Sequence, residues 1–89
     1  FDNIPRVLPP GCRVAIDPRA WDVPPVFRMI EKLGSISRDE MYRVFNMGVG
    51  MVAMVRPDEA GACVGFLSSR GFDARVIGEV RRGEPGVDI

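Results

Sequence analysis

The residues best suited to chemistry in this sequence form one cluster and one outlier. The cluster is Asn46-Met47-Gly48-Val49-Gly50, a carboxamide followed by two glycines one residue apart; the outlier is Arg6, between Pro5 and Pro9. Gly-x-Gly can bring backbone N–H groups close to a phosphate. A phosphate cradle, however, normally runs from a strand into a helix N-terminus, where the positive end of the dipole lies. Here the order is reversed, so the residues favour a device for turning over a phosphate cradle: Asn46 ends a helix, and the glycines permit a sharp change of direction or a close backbone approach. A guanidinium on a stiff, proline-bounded arm is partly preorganised for an anion. It is explained as well by an ion pair inside the fold, and the residue types leave both readings open.

Other chemistries are closed off. There is no histidine among the 89 residues, so neither Ser-His-Asp nor Cys-His nucleophilic catalysis can be assembled from this chain alone. Cys12 and Cys63 lie far apart with no C-x-x-C or Cys/His pattern, which argues against structural zinc. Cys63 reads as a small buried hydrophobe on a helix face. Asp39 and Glu40 are accounted for by helix capping, Arg81 and Arg82 by a solvated strand end, and Met47, Met51 and Met54 by flexible core filling.

Composition narrows the partners. Twelve basic side chains balance twelve acidic ones, so no net field recruits nucleic acid or an anionic membrane. Aromatic residues sit among aliphatics and not among Lys and Arg, which argues against a base-stacking platform. No apolar run approaches the ~20 residues of a membrane span, and no signal-peptide pattern opens the chain, so the sequence reads as cytoplasmic. With 46% apolar and 27% charged residues it is an ordinary globular mixture. A first residue of Phe, with no initiator Met, suggests a sequence that starts partway through a longer protein.

The elements that must position the cluster follow from local signals. Residues 1–11, with Pro5, Pro9 and Pro10, read as an extended arm. A short strand is expected over 13–17 and a helix over about 23–33, capped by Asp22 and stopped by Gly34. Ser37 and Glu40 form a capping box, with Ile36 and Met41 placed as a hydrophobic staple, and open a second helix that ends near Asn46. From Phe45 to Val55 no residue is charged, and 49–55 reads as a strand covered on both faces, the centre of the fold. Pro57, with Asp58 and Glu59 in the first turn, opens a third helix that ends at Gly71; residues 72–80 alternate as a strand. The last strand-helix-strand unit is expected to be a right-handed crossover with parallel strands. The fold class is therefore α/β (an α+β sandwich), a mixed sheet with helices packed mainly on one face.

Four blocks, in order, carry a resemblance. Asn3-Ile4-Pro5-Arg6-Val7-Leu8-Pro9, Trp21 with Val23-Pro24-Pro25-Val26-Phe27, Glu40-Met41-Tyr42-Arg43-Val44-Phe45-Asn46-Met47-Gly48-Val49-Gly50-Met51, and Val76-Ile77-Gly78-Glu79-Val80 closely resemble the C-terminal part of the aminoimidazole ribonucleotide synthetase family, the phosphoribosylformylglycinamidine cyclo-ligases. The resemblance is collinear over nearly the whole chain, and Phe-Asn-Met-Gly-x-Gly-Met is its sharpest block. It implies ATP-dependent ring closure of formylglycinamidine ribonucleotide in purine biosynthesis. ATP would phosphorylate the amide oxygen, a ring nitrogen would attack, and ADP and phosphate would leave, with Mg²⁺ accompanying the nucleotide. It implies a homodimer built through an N-terminal domain, which also carries most of the ATP site and is absent from these 89 residues. The glycine-rich phosphate loop of relatives would end where Phe1-Asp2 stand. By the same resemblance, Asn3 and Arg6 lie beside that loop, and Asn46, Gly48 and Gly50 face the cleft. It identifies no general base and no metal ligand in this piece, which alone is expected to be inactive.

Two other readings stand beside this one. The first is a free-standing α/β module for assembly or for binding a small anion. The second is a sister enzyme that uses ATP to activate other oxygens.

Overall fold

The computed structural model describes residues 1–89. Its sheet is organised around β1 (Cys12–Ile16), which follows the Pro9-Pro10-Gly11 turn and buries Val14 and Ile16 on one face. β2 (Gly78–Arg82) pairs with β1 antiparallel, Val14 opposite Val80, and β3 (Val87–Asp88) pairs with its other edge in parallel, Val14 opposite Val87. The order is β2-β1-β3, a mixed three-stranded sheet. Three helices complete an α+β arrangement: α1 (Pro25–Gly34), α2 (Arg38–Val44) and α3 (Ala60–Ser69).

Local chemistry explains the elements. Ser37 caps α2, its hydroxyl accepting from the Glu40 N–H at 3.3 Å. The reciprocal half of the box is not made; the Glu40 carboxylate instead takes the Arg43 guanidinium one turn on, which holds its pKa below the ordinary value. Pro57 opens a short 3₁₀ turn (Pro57–Glu59) that leads into α3, and Gly71 takes a left-handed φ of +87° just beyond that helix. At α1 the caps are displaced from those expected. Pro24 precedes the first turn in place of Asp22, and Ser35 takes the left-handed position (φ +50°) one residue after Gly34.

Three expectations need larger correction. Ile4–Val7 is a 3₁₀ turn, not an extended arm, because Pro5 presets a helical φ and the Ile4, Arg6 and Leu8 N–H groups close onto Phe1, Asn3 and Pro5. Residues 49–55 are not a strand of the sheet: no residue from 50 to 55 makes a backbone hydrogen bond, and Met51 is 90% exposed. An uncharged run states a need for cover without naming what supplies it, and here both edges of β1 are already taken by β2 and β3. The terminal parallel crossover consequently does not form. Of residues 72–80 only the end from Gly78 is strand, and it runs antiparallel to β1.

The core is small. Ile4, Val14 and Ile16 form its buried centre, with Phe1, Leu8, Trp21, Ile77 and Val87 packed on it; Met41 and Met47 are buried as well. No side chain of α1 or α3 is buried. The radius of gyration, 14.1 Å, exceeds the about 12 Å of a compact chain of this length, so much apolar surface remains uncovered.

Candidate functional site

The site expected at the turn after α2 is built around one peptide unit. α2 ends at Val44, and Phe45 leaves it extended, with Phe27 of α1 against its ring at 6.0 Å between centroids. Asn46 then folds back on the chain: its side-chain Oδ1 accepts from the Gly48 N–H at 2.8 Å, and its carbonyl accepts from the Val49 N–H at 3.0 Å. Met47 is left-handed at φ +54° and Gly48 lies at φ +99°. A Cβ on Gly48 would stand 2.5 Å from Cδ of Pro24, so this glycine is required twice over, by its φ and by the proline ring beneath it. The Trp21 indole Nε1–H donates to the Met47 carbonyl at 3.0 Å, and Phe1 stacks on the same indole at 5.9 Å.

Beside this turn lies an open cavity of about 410 Å³. Asn3, Asn46 and Gly50 lie on its wall, and Ile4, Val7 and Met51 supply apolar surface. Three of the five residues singled out in the sequence are thus brought together. Gly48 is not on the wall; it turns away against Pro24. Arg6 is exposed and does not line the cavity, although its neighbours Ile4 and Val7 do, and no carboxylate of the fold pairs with it.

The chemistry this wall offers is neutral hydrogen bonding. Asn46 commits Oδ1 to Gly48 and keeps its Nδ2 donor free, and the Gly50 N–H is also unbonded. The Gly48 and Val49 N–H groups are consumed inside the turn, so the Gly-x-Gly segment does not present a run of amides to a phosphate. No side chain capable of proton transfer lines the cavity. The carboxylates held below their usual range lie elsewhere, Asp17 by its hydrogen bond to Arg19, Glu40 by Arg43 and Asp88 by Arg13. Two carboxamides without a carboxylate do not fit Mg²⁺, which takes carboxylates and phosphates, and no cluster of three or more acids or cysteines forms anywhere in the chain. No helix is long and apolar enough to cross a membrane.

Sequence reasoning missed the support beneath the site. Trp21 and Pro24 stood out as residues, but their partners Met47 and Gly48 lie more than twenty positions on, and no local pattern signals that contact.

A family model described as AIR synthase related protein, C-terminal domain, matches residues 1–88. Over all 89 residues the chain is 46% identical to a phosphoribosylformylglycinamidine cyclo-ligase of Pseudothermotoga lettingae, covering 26% of that protein. It is 45% identical over 83 residues to one of Geobacillus kaustophilus and 43% identical over 84 residues to one of Anaeromyxobacter dehalogenans, covering 93% and 94% of this chain and 24% of each relative. The chain spans about a quarter of the length of the curated relatives it matches.

Proposed function

The chain belongs to the AIR synthase related protein family, as C-terminal domain sequence, and from that premise we propose that it serves as one wall of the active cleft of a phosphoribosylformylglycinamidine cyclo-ligase. The observation that carries this reading is the end-to-end similarity, 46% over 89 residues, to a protein of that name. In the proposed reaction ATP activates the amide oxygen of formylglycinamidine ribonucleotide, a ring nitrogen closes the imidazole, and ADP and phosphate leave.

The residues here bind and orient; they do not transfer protons. Asn46 Nδ2 and the Gly50 N–H are free donors on an otherwise largely apolar wall, suited to amide or phosphate oxygens of a nucleotide. Arg6, with no acid partner, is available for an anionic group. Polypeptide outside these residues would supply the acid–base groups, most of the ATP site, the Mg²⁺ ligands and the homodimer contact, and would cover the apolar ribbon at 50–55. The setting is the cytoplasm.

The test is ATP-dependent formation of aminoimidazole ribonucleotide by the full-length polypeptide and by the 89-residue chain. Turnover by the first and none by the second is expected. A full-length protein that closes no ring ends the functional reading; a short chain that turns over substrate ends the claim that it is only a wall.

A further inference from the structure

The Met47–Gly48 peptide is gripped from both ends. Its carbonyl oxygen accepts from Trp21 Nε1 at 3.0 Å, and its N–H donates to Asn46 Oδ1 at 2.8 Å. A peptide unit is planar, so its C=O and N–H move as one body; rotating either away from its partner rotates the other as well. The unit also needs holding, because Met47 sits at φ +54° with its side chain buried, a backbone conformation that a non-glycine residue keeps only under constraint from its surroundings.

The consequence reaches the cavity. With Oδ1 tied to Gly48, the carboxamide of Asn46 is oriented so that Nδ2 is its free end. If the peptide turned, Oδ1 would lose its partner and the carboxamide could rotate either way, offering the cavity an acceptor as readily as a donor. We propose that Trp21 is a positioning residue: by holding the Met47 carbonyl it fixes which end of the Asn46 side chain the substrate meets. This rests on the cyclo-ligase reading for the identity of the substrate. Phe1, stacked on the indole and itself on the cavity wall, braces the ring.

The test is a double-mutant cycle in the full-length enzyme, with Trp21→Phe, Asn46→Ala and the pair, read as kcat and KM for ring closure. Trp21→Phe keeps an aromatic ring against Phe1 and removes only the indole donor. The expected loss in kcat/KM is about tenfold, short of the ~100-fold that a 1 Å misplacement costs. Asn46→Ala should lose more, and the double variant should lose no more than Asn46→Ala, because both act through one peptide. Leu67→Ala, a truncation in α3, which packs on the Pro57–Glu59 turn and not on Trp21, should leave kcat/KM within twofold, which separates positioning from general destabilisation. Amide exchange at Gly48 should quicken about tenfold in both single variants and not in Leu67→Ala. Activity of Trp21→Phe within twofold of wild type, or losses that multiply in the double variant, overturns the positioning role while the wild type still closes the ring. A wild type that closes no ring overturns the functional reading and the positioning role with it.

Discussion

Gly48→Ala is the most informative single change. At φ +99° an L-residue is strained by roughly 1–2 kcal/mol. Its Cβ would lie 2.5 Å from Cδ and 2.9 Å from Cγ of Pro24, well inside the ~3.5–4.0 Å of carbon contacts, and a pyrrolidine ring cannot rotate out of the way. Overpacking of this kind costs about 1–3 kcal/mol, while the stiffer unfolded chain returns about 0.4–1. The net loss is about 1–4.5 kcal/mol. Gly50→Ala is the internal control, for no atom lies within 4 Å of its added Cβ and its φ is not positive, so the change should stay within about 0.5 kcal/mol. Trp21 is the single tryptophan and touches the turn directly, so urea unfolding of the 89-residue chain followed by its fluorescence reads the right region. At about 4–8 °C per kcal/mol, Gly48→Ala should also lower Tm by at least about 4 °C. A Gly48→Ala midpoint within 0.5 kcal/mol of wild type, or a Gly50→Ala variant at least as damaged, would refute the argument that Pro24 and the left-handed backbone jointly require glycine at 48.

Three further outcomes are expected. Asp88 is held below its ordinary 3.8 by the hydrogen bond from Arg13, so the pair stabilises the β1–β3 edge above that value and is lost as pH falls through the lower folded pKa. An NMR titration of the Val87 amide should therefore show its acid transition below pH 3.8, and Asp88→Asn should abolish it; a transition above 3.8 contradicts the pairing. Gly78→Ala would place its Cβ on the Ala15 carbonyl oxygen, backbone against backbone, and should cost about 3 kcal/mol with loss of β1–β2 amide protection, whereas an intact strand pair in that variant would count against the register. Met51→Lys should change the urea midpoint of the 89-residue chain by no more than about 0.5 kcal/mol, since Met51 is 90% exposed; a loss above 1 kcal/mol would mean that the chain covers its own ribbon.

How much of this was legible in the sequence depended on distance along the chain. The Ser37 cap, the Pro57 start, the left-handed Gly71 and the strand core around Val14 were readable because each signal and its effect lie within a few residues. The family was readable too, from four short blocks in order. Tertiary structure decided the rest. It made β1 the central strand in place of 49–55, brought Val87–Asp88 in as a parallel edge, and set Trp21 and Pro24 under a turn more than twenty residues away. The physical reason is that apolar periodicity records how much surface must be covered, whereas the choice of cover depends on which edges and faces other segments have already occupied.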